Sequence, residues 1–257
     1  MFNPPLGRAA VVCALIATVS VPGRIAGQGS EGRLFPDPFP STYQPFPSPV
    51  TLIQDATILT GTGERIDGGS ILMRNGVIAA IGETIDAPPG ATIIDGAGKW
   101  VTPGIIDSHS HLGNYPYPGV ESQQDGNEMT NPVTSEVWAE HGVWPQDPGF
   151  GYALAGGVTS LLILPGSGHL IGGRGVTLKN VPSRTVQGMK FPDAPHALKM
   201  ASGENPKRTY GEEKKQFPMS AMGNGAGYRM AWIEGQEYLR EWQAWWAGER
   251  DEDDRPD

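Results

Sequence analysis

The chain has 257 residues, enough to bury a core as one large domain or two modest ones. Its 36 glycines, 24 prolines and 38% hydrophobic content point to many turns and loops. With 19 basic against 28 acidic residues it carries a formal charge of −9 and shows no basic patch, which argues against a nucleic-acid partner.

The N-terminus reads as a targeting signal over residues 1–27. Arg8 supplies the positive region, "AAVVCALIATVSV" (9–21) the apolar region, and "IAG" (25–27) the small residues for cleavage. The run is shorter than the ~20 apolar residues of a membrane helix, so no stable span is expected after cleavage; an uncleaved anchor is the alternative. An exported protein, periplasmic or secreted, is the expectation. Cys13 is the single cysteine and lies inside the signal, so the mature chain would have no disulfide and would rely on packing or metal. Residues 28–49 contain "FPDPFPSTYQPFPS", whose X-Pro pairs force extended backbone and remove donors. They read as a linker or surface strap, with Phe35, Phe39, Tyr43 and Phe46 favouring a strap docked on the body.

From 50 to 101 the texture is that of short strands. "VTLIQDATIL" and "GSILMRNGVIAAIG" are rich in β-branched residues, and "RNG" (74–76) is a hairpin turn. "ATIIDGAGKWVTPG" continues as strand, Gly-rich turn and strand, and the whole predicts a small antiparallel sheet. Further on, "GYALAGGVTSLLILPG" (151–166) predicts a helix end, a glycine turn and a buried parallel strand. "RTVQGMKF" and "HALKMASG" are further strand candidates. "GAGYRMAWIEGQEYLREWQAWWAGE" predicts one long helix with Met230, Ile233 and Trp242 on its buried stripe, its tryptophans packing rather than binding a ligand. Residues 251–257 close the chain as an acidic, solvated tail.

The stretch "VTPGIIDSHSHLG" (101–113) carries the chemistry. In a strand, residues i, i+2 and i+4 share a face, so Asp107, His109 and His111 project together while Ser108 and Ser110 face the other way. Two adjacent imidazoles are costly to charge together, and a divalent cation resolves the conflict because neutral imidazole is a good ligand. Asp107 has two readings, as a ligand or as a group that orients a ring and supports the loop. A bare H-x-H more often bonds to backbone. Here an apolar strand introduces the pair and a loop, "LGNYPYPG", follows it, which is where ligands gather in a parallel barrel.

With these residues in view, the chain resembles the amidohydrolase superfamily, and within it the imidazolonepropionase-like and prolidase-like metal-dependent hydrolases. The resemblance covers roughly residues 50 to 250 and rests on "ATILTGTGERIDGGSILMRNGVIAAIG", "VTPGIIDSHSHLG" and "GGVTSLLILPG". It implies an α/β fold: part of a small β-sandwich over 50–101, then a partial TIM-like (β/α)8 barrel over 102–250 with about four βα units. His109 and His111 would be the metal ligands of the first barrel strand, and the cofactor would be one or two divalent ions, zinc first among them. In many members a lysine at the end of the fourth strand is carboxylated and bridges two metals. "HALKMASGENP" (196–206) is similar to that segment, so the role passes to Lys199, the alternative being an ordinary salt-bridged lysine. Lys190, beside Pro192, suits the role less well. His141, with Trp138 and Trp144, is a candidate substrate contact or a loop-packing histidine. Arg174 and Asn205 are further substrate-contact candidates. His169 and the glycines of "GSGHLIGGRG" (166–175) are candidates for an active-site loop, and His196 is expected on the far side of the strand from Lys199.

The family pattern also asks for later-strand histidines and a final aspartate, and no histidine follows Lys199. A (β/α)8 barrel takes ~250 residues by itself. The expectation is therefore an N-terminal portion of a longer hydrolase that cleaves an amide, cyclic amide or imidazolone-type C–N bond, inactive in isolation. Dipeptide, ester and phosphotriester bonds stay open as substrates, and the missing half or a second copy as a partner. Two other readings stand beside it: a non-catalytic exported binding or scaffold protein, and one chain of a split hydrolase.

Overall fold

The computed structural model describes residues 36–256; the signal-peptide reading of residues 1–27, and Phe35 of the strap, fall outside them. Two sheets organise the described chain. The first is built by β1 (Thr51–Leu59), β2 (Arg65–Arg74), β3 (Val77–Gly82), β4 (Thr92–Asp95) and β5 (Trp100–Val101). Its order is β3-β2-β1-β4, with β5 also on β1. Asn75 (φ 55°) and Gly76 (φ 75°) take the left-handed conformations that a two-residue hairpin between β2 and β3 requires. Ala56, Ile58 and Ile71 are buried, with Ile53, Ile66, Met73 and Val101 against them.

The sheet is mixed rather than antiparallel, which corrects the expectation for this region. β4 pairs in parallel with Thr51–Gln54 and β5 in parallel with Thr57–Ile58. β1 breaks register around Asp55, whose φ of 59° kinks the strand, so one edge takes two short partners in succession.

The second sheet is β6 (Ile105–Ser110), β7 (Val158–Ile163), β8 (Ile171–Lys179) and β9 (Ala197–Met200), in that order. β6 and β7 are parallel, joined through α1 (Pro148–Ala155). Asp147 caps α1 by accepting from the Gly149 amide, and Pro148 starts it without wasting a donor. After this one βαβ unit the expected succession of βα units gives way to antiparallel pairing, β7 with β8 and β8 with β9. The glycines of "GSGHLIGGRG" therefore belong largely to a strand, not to a loop. The reason is packing on both sides. The segment from Val133 to Trp138 bridges β8 at Ile171 and Arg174, so close that a Cβ on Gly173 would lie 2.2 Å from the Val137 carbonyl oxygen.

"RTVQGMKF", expected as a strand, holds the short helix α2 (Val186–Met189), because Thr185 caps it by accepting from the Gly188 amide. Leu161, Ile163, Val176, Leu178, Val186 and Met189 form the core of this half with Ala139, Val143 and Phe150. Beyond β9 come α3 (Glu204–Lys207), a π-helical continuation over Arg208–Glu213, and the long α4 (Ala221–Trp246). The stripe expected on α4 is corrected at two positions, since Met230 and Ile233 are about half exposed. What buries this helix is Gly227, which lets it close on Leu170, and Trp242, which packs among Tyr238, Trp245 and Trp246.

Candidate metal centre

The strongest constraint on the shape of the second sheet is a side-chain contact. β6 and β9 are separated by two strands, which in a flat sheet sets them roughly 14 Å apart. Yet Lys199 Nζ lies 2.9 Å from His109 Nε2. The sheet must curl, with these two side chains on its concave face, and it forms a half-barrel whose strand ends converge.

His111 joins them from β6, its ring 5.2 Å from that of His109 at 77°. Its Nδ1 donates to the carbonyl oxygen of Leu164, 2.8 Å away, just past the end of β7. A carbonyl can only accept, so the proton is on Nδ1 and the Nε2 lone pair is left for a cation. Nε2 of His109 accepts from the Lys199 ammonium in the same way, which leaves Nδ1 as the protonated nitrogen. Asp107 turns back on the backbone, its Oδ1 accepting from the His109 amide at 3.1 Å. The Lys199 ammonium holds the His109 imidazole below its ordinary pKa, and burial and His111 act in the same direction.

Lys199 is buried, and burial lowers its own pKa. Among the described residues no carboxylate forms an ion pair with it. A lysine held in this way is an incomplete ion pair, suited to chemistry that turns its nitrogen into a ligand. The open Nε2 of His111, and that of His109 once Lys199 no longer donates to it, make with such an amine a donor set that fits a divalent cation. No group of three His, Cys, Asp or Glu that could hold a metal occurs among the described residues, so the lysine is what extends the pair.

The other candidate residues divide between this cluster and a second one. Asn205 is near His111: both line a cavity of about 340 Å³ with Tyr115, Asn127, Met129, Ser167, Arg208 and Glu213. Arg174 is elsewhere, paired to Glu140 at 2.5 Å and stacked over Trp138 at 3.2 Å. His141 packs against Trp138 and Phe39, at 5.4 and 5.2 Å, on the wall of a different cavity of about 500 Å³. Lys190 is buried in the same second cluster, 2.6 Å from Glu140 and 2.7 Å from Asp37. His196 lies 3.8 Å from Asp37, away from Lys199. His169 is buried, its Nε2 donating to the Glu128 carbonyl and its Nδ1 without a partner among the described residues. Sequence reasoning missed Tyr115, Ser167 and Arg208. The only signal for Tyr115 was its place four residues after His111, and Arg208 had none.

This is a curled α/β half-barrel with a histidine–lysine cluster where its strand ends converge. No family model matches the chain. It is similar to the amidohydrolase tasK of Hapsidospora irregularis, 33% identical over 223 residues that make up 76% of this chain and 22% of that protein. It is 34% identical over 129 residues to the dihydroorotase of Geobacter sulfurreducens, across 50% of this chain and 24% of the other. Among solved structures, the amidohydrolase of Thermotoga maritima superposes with a TM-score of 0.68 at 42% identity, over 74% of this chain and 48% of that one. The chain belongs to the amidohydrolase superfamily. It spans about a fifth to a quarter of the curated relatives it matches here and about half of the Thermotoga structure.

Proposed function

We propose that this chain supplies the first histidine pair and the lysine of a metal centre in a hydrolase that cleaves a non-peptide C–N bond, in an amide, cyclic amide or imidazolone-type ring. The observation that carries the reading is Lys199, buried with no carboxylate partner among the described residues and in contact with His109. His109 and His111 would hold a divalent cation, zinc or a similar ion, through their Nε2 atoms. When bound, such an ion supplies a Lewis acid that activates water and polarises the scissile carbonyl. The contact of His111 with the Leu164 carbonyl fixes the ring before any ligand arrives, which lowers the cost of assembling the site. Lys199 is proposed to carry a carbamate. Its neutral nitrogen attacks the carbon of CO₂, an N–C bond forms as one C–O π bond opens, and the nitrogen gives up a proton to solvent. The carbamate would then offer two oxygens sharing one negative charge where the ammonium had stood beside His109.

Within this reading the first sheet is part of a β-sandwich, the half-barrel part of a (β/α)8 barrel, and the protein is exported. Two imidazoles and one lysine fall short of a full ligand set, so turnover is taken to need donors from outside the described residues. A second reading, an exported binding or scaffold protein, is favoured by the lack of a three-residue His, Cys, Asp or Glu group among the described residues. Metal content by mass spectrometry after zinc loading separates the two. The hydrolase reading requires bound metal that is lost in His109→Ala, and metal-free protein under saturating zinc would overturn it.

A further inference from the structure

We infer that the cavity beside His111 is a carboxylate-recognition subsite, with Arg208 as the anchor and Ser167 and Asn205 as its hydrogen-bonding partners, so that the substrate carries an anion next to the bond cleaved. The substrate clause rests on the hydrolase reading; the binding claim does not.

The cavity of about 340 Å³ suits a small ligand, and its lining from His111 to Arg208 is largely polar, with Met129 as its apolar side chain. Asn205 Nδ2 donates to Ser167 Oγ at 2.6 Å. That bond occupies the hydroxyl as an acceptor and leaves its proton to be donated to a third group. Arg208 faces the same space from the π-helical segment Arg208–Glu213. The winding there has a consequence for the site. In an α-helix, residues five apart diverge by about 140°, at 100° per residue. Bonding from i to i+5 brings them round to one side, and Arg208, Thr209 and Glu213 all line the cavity.

Arg208 is held loosely, 3.7 Å from Glu204 and 3.9 Å from Glu213, both beyond hydrogen-bond length. Its carboxylate neighbours aim the guanidinium without engaging its paired N–H donors in a close fork. A planar carboxylate is the group that matches that fork, and an ammonium or an apolar group is not. Of the neighbouring lysines, Lys207, Lys214 and Lys215 do not line the cavity, and Lys214 is committed to the Met129 carbonyl and the Tyr210 ring. Arg208 is therefore the cation that serves the cavity.

The test uses the whole chain and two probes of matched shape, N-acetylalanine and its neutral amide, N-acetylalaninamide, titrated by calorimetry. The acid is expected to bind at least about tenfold tighter than the amide, the factor carried by one charge-assisted hydrogen-bond set. Arg208→Gln should abolish the preference while leaving amide binding in place. Arg208→Lys, which keeps the charge and loses the fork, should retain part of it, and Ser167→Ala should reduce it several-fold. The preference should persist in His109→Ala, so a failure of the metal-centre reading leaves this result untouched. Equal affinity for the two probes, a preference that survives Arg208→Gln, or no binding of the acid at about 10 mM overturns the assignment. Circular dichroism of each variant confirms that it is folded.

Discussion

Lys199 Nζ stands 2.9 Å from His109 Nε2, a cation against an imidazole in a place where a carboxylate would be the ordinary partner. In the metal-free chain this is a buried charge that no carboxylate among the described residues compensates, and such groups cost folding free energy. Lys199→Met should therefore raise the thermal midpoint of the metal-free protein, by the equivalent of about 1–3 kcal/mol. The same substitution should abolish zinc binding. Incubation of the unsubstituted chain with ¹³C-bicarbonate should give a carbamate carbon signal that Lys199→Met lacks. A more stable variant that still binds zinc as well as the parent would separate Lys199 from the centre.

His111 makes a different kind of prediction, because its role is set by the proton on Nδ1. With Leu164 O accepting that proton, only Nε2 is available, and its direction is fixed by the end of β7. His111→Ala and His109→Ala should each lower zinc affinity by at least about tenfold. The double substitution should cost little more than either alone, since one imidazole is a poor site. ¹⁵N chemical shifts of the ring should report Nδ1 protonated in the metal-free chain. An Nε2-protonated tautomer would exclude His111 as the ligand drawn here.

The sequence carried the β hairpin at 74–76, the strand–helix–strand step around β7 and the face shared by His109 and His111, because each of these is encoded locally by period and turn residues. The fate of "GSGHLIGGRG" was not local. Three glycines in five residues read as a loop, yet they are what allows β8 to lie between β9 and the Val133–Trp138 segment. The parallel pairing of β4 and β5 with β1 was hidden for the same reason, since strand direction depends on the partner and not on the strand's own residues. The half-exposed Met230 and Ile233 show the limit of periodicity, which marks an apolar face on α4 and says nothing about whether another element covers it. Arg208 enters the site through a π turn that leaves no pattern in the residue types.

Gly173 tests that account of β8. It sits at φ +106°, opposite Lys199 in the β8–β9 pairing, and a Cβ would come within 2.2 Å of Val137 O and 3.0 Å of Thr134 O. Neither backbone atom has a flexible end that can move aside. Gly173→Ala should destabilise by at least about 2 kcal/mol and weaken zinc binding through displacement of β9. Gly76→Ala is the control: φ is also positive, at 75°, but no atom lies within 4 Å, so the cost should stay near 1 kcal/mol, with zinc binding unchanged. Equal costs in chemical denaturation would remove the close approach of Val137 as the reason for the glycine.

The strap provides the pH-dependent prediction. Asp37 reaches into the body and meets Lys190 at 2.7 Å, with Arg174 at 3.9 Å; Glu140 holds the same two cations from the other side. Lys190 also donates to the Phe39 carbonyl, and Ser41 donates to that of Lys190. Burial by itself would raise the Asp37 pKa; the hydrogen bonds from Lys190 and the Phe39 amide, with the charges of Lys190 and Arg174, outweigh it and hold the carboxyl below the ordinary range of an aspartate. A folded pKa below the unfolded one stabilises the native state above the unfolded value, and that contribution is lost as pH falls through the folded one. The strap should therefore stay docked at neutral pH and gain protease sensitivity below about pH 4. Asp37→Asn should show that sensitivity at pH 7, with the core intact. Glu140→Ala goes further, because it leaves two buried cations facing one carboxylate, and should cost about 3–5 kcal/mol in denaturant unfolding. Cleavage of the strap at the same rate in Asp37→Asn and the parent, across pH 3 to 7, would show that the contacts of Phe39 with Trp138 and His141 hold it without the ion pairs.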